Sequence, residues 1–296
     1  MSASTDTATR PPAQSSLPED AGVLGGGRMG SGIAHALLLA GCRVRVAESG
    51  AERVAAARAN VEKAVRASTE RGTLDPAELD GVLARLEVGE GPQFLAPAGL
   101  VVEAVPEDPA LKARVLSALD AVLAPDAVLA SNTSSISIAE LGAALPENRS
   151  LIGLHFFNPV PASTLVEVVL RPGTPDELVE RARGWVQQMG KTAVVVRDSP
   201  GFASSRLGVA LGLEAVRMLE EGVASAEDID AAMALGYKHP VGPLRLTDLV
   251  GLDVRLGIAE HLERTLGPRF APPQLLREKV ARGELGRKSG RGFYTW

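Results

Sequence analysis

His155 and Glu167 are the two residues whose types and spacing point most directly to chemistry. The histidine falls near the end of an apolar run, LIGLHFF, of the kind that forms a buried strand. That places it at the carboxyl edge of a sheet, where open α/β sheets bind ligands. Glu167 follows twelve residues on, in a second short run, LVEVVL, that can return it to the imidazole. A carboxylate beside a histidine fixes the ring tautomer and stabilises the imidazolium, so the pair suits removal of a proton by a general base. Ser134, at the end of the preceding strand-like run, supplies a hydroxyl that can hold a substrate oxygen. The other histidines carry plainer expectations: His35 and His261 fall on predicted helices, and His239 precedes Pro240 in a turn. No histidine pair has metal-ligand spacing, so no metal site is expected. Cys42 is the single cysteine and reads as a small buried side chain, with no disulfide to form.

A second constellation is GGGRMG, in which Gly25, Gly27 and Gly30 fit G-x-G-x-x-G. It follows a strand-like AGVL and opens the helical stretch GSGIAHALLLAG, the context that gives the pattern meaning. The first glycine permits a tight turn, the second lets the backbone approach a pyrophosphate, and the third lets helix and strand pack closely. The helix amino end then offers unpaired N–H groups and a positive dipole to phosphates. Glu48 ends the next strand, eighteen residues beyond Gly30. A carboxylate there accepts hydrogen bonds from adenosine ribose hydroxyls and repels a 2′-phosphate, so NAD is expected over NADP.

The elements that must position these residues alternate. AGVLGG, RVRVAE, RLEVGE, GLVVEAV, AVLASN and LIGLHFF read as buried strands of a parallel sheet, separated by Ala-rich helical stretches. Pro109 favours a first helical turn. LVEVVL and TAVVVR bracket one more helix, and the whole reads as a succession of βαβ units. After Asp198-Ser199-Pro200-Gly201 the text is helical, including LRLTDLVGLDVRLGIAEHLERTLG as one stretch and a capping box at Ser225 and Asp228. The expected division is a disordered tail over 1–20, an α/β nucleotide-binding domain over 21–199 and an all-helical domain over 200–296. LGVALGLEAVRMLEEG and LTDLVGLDVRLGIAEHL carry more apolar positions than one small helical layer needs, which predicts a two-fold dimer interface.

Composition narrows the classes. The 296 residues are 45% apolar and 23% charged with net charge -5, an ordinary globular balance without the basic footprint of a nucleic-acid binder. No apolar run approaches a membrane span, and the Ser/Thr/Pro-rich start has no signal-peptide core, so a cytoplasmic protein is expected.

VLGGGRMGSGIA, SNTSSISI, GLHFFNPVP, LVEVV, DSPGF and GRKSGRGFYTW together resemble the L-3-hydroxyacyl-CoA and 3-hydroxybutyryl-CoA dehydrogenase family from about Ala21 to Trp296. The resemblance implies a Rossmann-type domain followed by a helical domain that makes a homodimer. It implies an NAD-dependent oxidoreductase of fatty acid metabolism that converts a (3S)-3-hydroxyacyl-CoA to the 3-oxoacyl-CoA. By the same resemblance His155 is the general base, Glu167 its orienting partner and Ser134 a donor to the substrate oxygen. Glu107, Lys112 and Asn132 fall where the family contacts the nicotinamide half of the cofactor, and Glu48 binds the ribose. One position departs: Ser205 stands where the family carries an asparagine after PGF, and is taken as the substrate-contacting residue there. The alternatives are the same machinery acting on a free hydroxy acid or a carrier-bound acyl group, or a catalytically idle NAD-binding or structural protein. Intact Ser134, His155 and Glu167 argue against the last.

Overall fold

The structure, a computed structural model, describes residues 16–296, which divide into one compact unit running to Asp198 and a second from Ser199 to Trp296. The first unit alternates strands and helices: β1 (Asp20–Leu24), α1 (Arg28–Leu39), β2 (Arg43–Glu48), α2 (Ala51–Glu70), α3 (Leu79–Leu83), β3 (Leu86–Glu90) and β4 (Leu100–Glu103). It continues with α4 (Pro109–Asp120), β5 (Val128–Ser131), α5 (Ile138–Gly142), β6 (Leu151–Phe156), β7 (Leu165–Leu170), α6 (Asp176–Gln188) and β8 (Thr192–Arg197). The eight strands form one sheet in the order β3-β2-β1-β4-β5-β6-β7-β8. Its central strands are mostly apolar because helices cover them, with Glu103, Ser131 and His155 as the buried exceptions near their carboxyl ends. Val23, Val44, Val102, Val128 and Ile152 are buried in one core with Ile33, Leu37, Val61 and Trp185.

The succession of βαβ units breaks at one place. β1 to β6 pair in parallel, but β7 pairs antiparallel to β6, and β8 runs parallel to β7. Length decides this: eight residues separate Phe156 from Leu165, whereas a parallel return needs a crossover of roughly a dozen or more. Residues 16–20, expected within the tail, pack onto the first unit. Ser16 accepts a hydrogen bond from the Trp185 indole at 3.0 Å, the Leu17 amide donates to the Gln188 side chain at 2.8 Å, and Leu17 is itself buried. The expected disorder of residues 1–15 lies outside the described residues.

The second unit comprises α7 (Ser204–Glu220), α8 (Ala226–Ala231), α9 (Pro243–Val250), α10 (Leu252–Leu266) and α11 (Gln274–Ala281), packed around Val209, Leu213, Val216, Leu244, Leu252, Leu262 and Leu276. Ser225 caps α8, its hydroxyl accepting the Asp228 amide at 3.1 Å. The stretch expected as one helix from Leu244 is broken at Gly251, whose φ of +106° belongs to glycine and ends α9 before α10 starts. Among the described residues, no helix is long and apolar enough to cross a membrane.

Candidate active site

The glycine turn is built as the spacing predicts. Gly25 has φ +95°, and a Cβ there would lie 2.9 Å from the Ala104 carbonyl; a Cβ on Gly30 would lie 1.7 Å from the Gly25 carbonyl. Gly25 therefore lets the turn pass the end of β4, and Gly30 lets α1 pack on that turn. Gly27 is exposed, with no atom within 4 Å of an added Cβ, so its backbone faces open space. It precedes α1 without any side-chain cap, and no acidic residue stands in the first helical turn. Bare N–H groups and an unopposed dipole are what a pyrophosphate needs. Glu48, half-buried at the end of β2, accepts the Gly26 amide at 2.7 Å, which fixes its carboxylate beside the turn. These residues fit a dinucleotide with its ribose on Glu48.

The antiparallel turn-back of β7 makes the second feature. In the β6–β7 register His155 stands directly opposite Glu167, so both side chains leave the sheet on one face. Nδ1 of His155 lies 2.8 Å from Oε2 of Glu167, with the histidine 6% and the glutamate 1% exposed. A carboxylate only accepts, so Nδ1 carries the proton and Nε2 is the basic nitrogen. Phe157 tilts against the imidazole with ring centroids 4.4 Å apart.

A third group joins the ends of β4 and β5. Glu103, fully buried, pairs with the Lys112 ammonium at 2.7 Å and accepts the Val105 amide at 2.8 Å and the Ser131 hydroxyl at 2.6 Å. Lys112 is 1% exposed and also meets Glu107 at 3.2 Å. It is thus held inside the wall rather than presented to a ligand. Glu107 gathers the next turn, accepting the Thr133 hydroxyl and the Ser134 amide at 2.9 Å. Burial pushes the Glu107 carboxyl up, but Lys112 and these donors outweigh it and hold its pKa below the usual range. Ser134 lies three residues beyond β5, and its hydroxyl is 3.4 Å from Glu107, a bond weak enough to exchange for a ligand. Asn132 accepts the Phe156 amide at 2.9 Å on its side-chain oxygen, tying this turn to the strand of His155.

Ser205 stands in the first turn of α7, in the second unit. Sequence reasoning missed Glu103, although a carboxylate closing the fully buried LVVE was a usable signal. Cys42 is buried, and burial pushes its thiol up to about 11, as suits an inert packing residue. Among the described residues no cluster of three His, Cys, Asp or Glu side chains could hold a metal ion.

Comparisons with known proteins identify the family. The family model described as 3-hydroxyacyl-CoA dehydrogenase, NAD binding domain, matches residues 20–199, and that of the C-terminal domain matches 201–296. The chain is 43% identical over 278 residues to a 3-hydroxybutyryl-CoA dehydrogenase of Mycobacterium tuberculosis, covering 93% of this chain and 97% of that protein. It is 40% identical to a probable 3-hydroxybutyryl-CoA dehydrogenase of Bacillus subtilis, covering 93% and 96%. The crystal structure of (S)-3-hydroxybutyryl-CoA dehydrogenase PaaH1 from Ralstonia eutropha superposes with a TM-score of 0.90 at 37% identity, covering 94% of this chain and 99% of that one. With its glycine turn, the Glu48 carboxylate beside it and its histidine–glutamate pair on one sheet, the chain belongs to the 3-hydroxyacyl-CoA dehydrogenase family and is an NAD-dependent enzyme.

Proposed function

We propose that His155 is the general base in reversible oxidation of a (3S)-3-hydroxyacyl-CoA, with Glu167 holding and charging it. The observation that carries this is the 2.8 Å contact between the two, set by strand register. Nε2 of His155 takes the proton of the 3-hydroxyl, and the imidazolium that results sits against the Glu167 carboxylate. NAD, when bound, supplies the acceptor for the hydride leaving the same carbon. In the reverse direction His155 returns the proton to the carbonyl oxygen.

The remaining roles follow from what each residue touches. Gly25, Gly27, Gly30 and the α1 amino end hold the pyrophosphate, and Glu48 the adenosine ribose. Ser134 gives its hydroxyl to the substrate oxygen, from a turn that Glu107 holds. Asn132 has its oxygen occupied by the Phe156 amide and so serves a ligand as a donor. Lys112 acts through Glu107, where the sequence reading had it contacting the cofactor itself. The second unit makes a homodimer: Leu207, Leu235 and Tyr237 are each more than two-thirds exposed on its surface. A second reading, the same chemistry on a free hydroxy acid, is favoured by Ser205, whose side chain reaches less far than the asparagine of the family.

His155→Gln tests the central role. Turnover is expected to fall by roughly two to four decades, the range for a lost general base, while NAD binds as before. Near-normal turnover in a folded His155→Gln protein overturns the assignment.

A further inference from the structure

Lys191 lies between α6 and β8, at the sheet edge where β7 and β8 both begin. Its ammonium donates to the Val160 carbonyl at 2.7 Å and to the Ser163 carbonyl at 2.6 Å. Both carbonyls belong to the eight-residue connection that joins the strand of His155 to the strand of Glu167. Among the described residues Lys191 has no carboxylate in an ion pair; the two backbone carbonyls are its hydrogen-bond partners. A half-buried ammonium without a counter-charge is costly, and burial holds its pKa below the usual lysine value. The charge is nevertheless placed on the one segment that links the two halves of the dyad.

The same connection is seated on α1. Val160 is 2% exposed and approaches so closely that a Cβ on Gly32 would lie 2.7 Å from its own Cβ. α1 is the helix whose amino end carries the glycine turn. The connection is also stiffened from within, since the Ala162 and Ser163 amides both donate to the Pro159 carbonyl at 3.0 Å. One short segment is thus gripped by Lys191, packed on the cofactor helix and continuous with the strands of His155 and Glu167.

We propose that Lys191 is a positioning residue for the reaction: it clamps the β6–β7 connection and so sets the His155–Glu167 pair against the cofactor-binding helix. This rests on the reading of His155 as the base. Without the ammonium the two carbonyls lose their shared donor, and the connection relaxes while the glycine turn and Glu48 stay as they are. The effect therefore falls on the chemical step and not on NAD affinity.

The test compares the parent with Lys191→Met and Lys191→Arg. Three quantities are read: kcat, the NAD dissociation constant, and the proton resonance of the His155 Nδ1–H, assigned by its loss in His155→Gln. Lys191→Met is expected to lower kcat by roughly 10- to 100-fold, the scale of an ångström-sized misplacement, with NAD affinity within about threefold. The Nδ1–H resonance should shift or broaden in that variant, and Lys191→Arg should recover both readouts in large part. If Lys191→Met does not fold, Lys191→Gln carries the same comparison. An unchanged resonance overturns the proposal, whatever happens to kcat. A shifted resonance with unchanged kcat overturns it as well, whereas near-normal turnover of His155→Gln contradicts the role given to His155, so the two failures are distinguishable.

Discussion

The buried pair of Glu103 and Lys112 is one in which removing half is more harmful than removing all. Glu103 and Lys112 are 0% and 1% exposed, and each satisfies the other. Glu103→Ala would leave the ammonium with Glu107 as its one carboxylate, and a loss of roughly 3–5 kcal/mol is expected for a broken buried pair. Glu103→Leu combined with Lys112→Met should cost less than Glu103→Ala alone, as denaturant melts would show; a larger loss in the double variant would refute this account of the pair. At Glu48 the expected outcome concerns selectivity. Glu48→Ser should narrow the preference for NAD over NADP by at least about tenfold in kcat/KM, because the carboxylate that repels a 2′-phosphate is gone; an unchanged ratio would place the ribose elsewhere. The glycines, Glu48, His155 and Glu167 were legible in the sequence because their meaning lies in local spacing or in a family motif. Glu103 closes a buried apolar run that could have signalled it, but its partners Lys112 on α4 and Ser131 on β5 are set by the fold. Lys191 gave no signal because Val160 and Ser163 come to it from the β6–β7 connection.

Among the elements, α1 carries both the glycine turn and a buried histidine. Nε2 of His35 meets the Ser68 hydroxyl of α2 at 2.7 Å, while Nδ1 has no hydrogen-bond partner among the described residues. Burial, with Arg71 and Lys191 nearby, lowers its pKa from 6.5 to about 4, so the native protein holds it neutral. In the unfolded chain it takes a proton near pH 6.5. Stability from this group is therefore whole above pH 6.5 and is lost as pH falls through about 4. The gap of about 2.5 units, at about 1.36 kcal/mol each, amounts to about 3 kcal/mol over that window. His35→Gln should flatten that part of the stability–pH curve in chemical denaturation, and parallel curves for parent and variant would contradict it. The order and type of most elements followed from apolar runs and helix signals. The direction of β7 and β8 did not, since LVEVVL reads the same either way and only the shortness of the connection before it excludes a crossover. Nor did the break at Gly251, because a glycine inside a helical pattern is often tolerated and its φ is not written in the sequence.

For the whole molecule, the two units divide the work along the chain: the first carries the cofactor turn and the dyad, and the second carries exposed apolar side chains on helices of its own. A dimer built on that surface should run at the mass of two chains in sedimentation at micromolar concentration, and Leu207→Glu should shift it toward one. A single-chain mass for the parent would refute the interface. As a whole, this enzyme oxidises a 3-hydroxyacyl group carried on CoA. The most direct measurement is NADH formation from (3S)-3-hydroxyacyl-CoAs of increasing length, with free 3-hydroxybutyrate and the (3R) thioester as controls. The account predicts turnover on the (3S) acyl-CoAs and at least about a hundredfold lower kcat/KM on both controls, the discrimination that a positioned base and a bound carrier arm supply together. Equal or better turnover of the free acid, or none with any acyl-CoA, would contradict it.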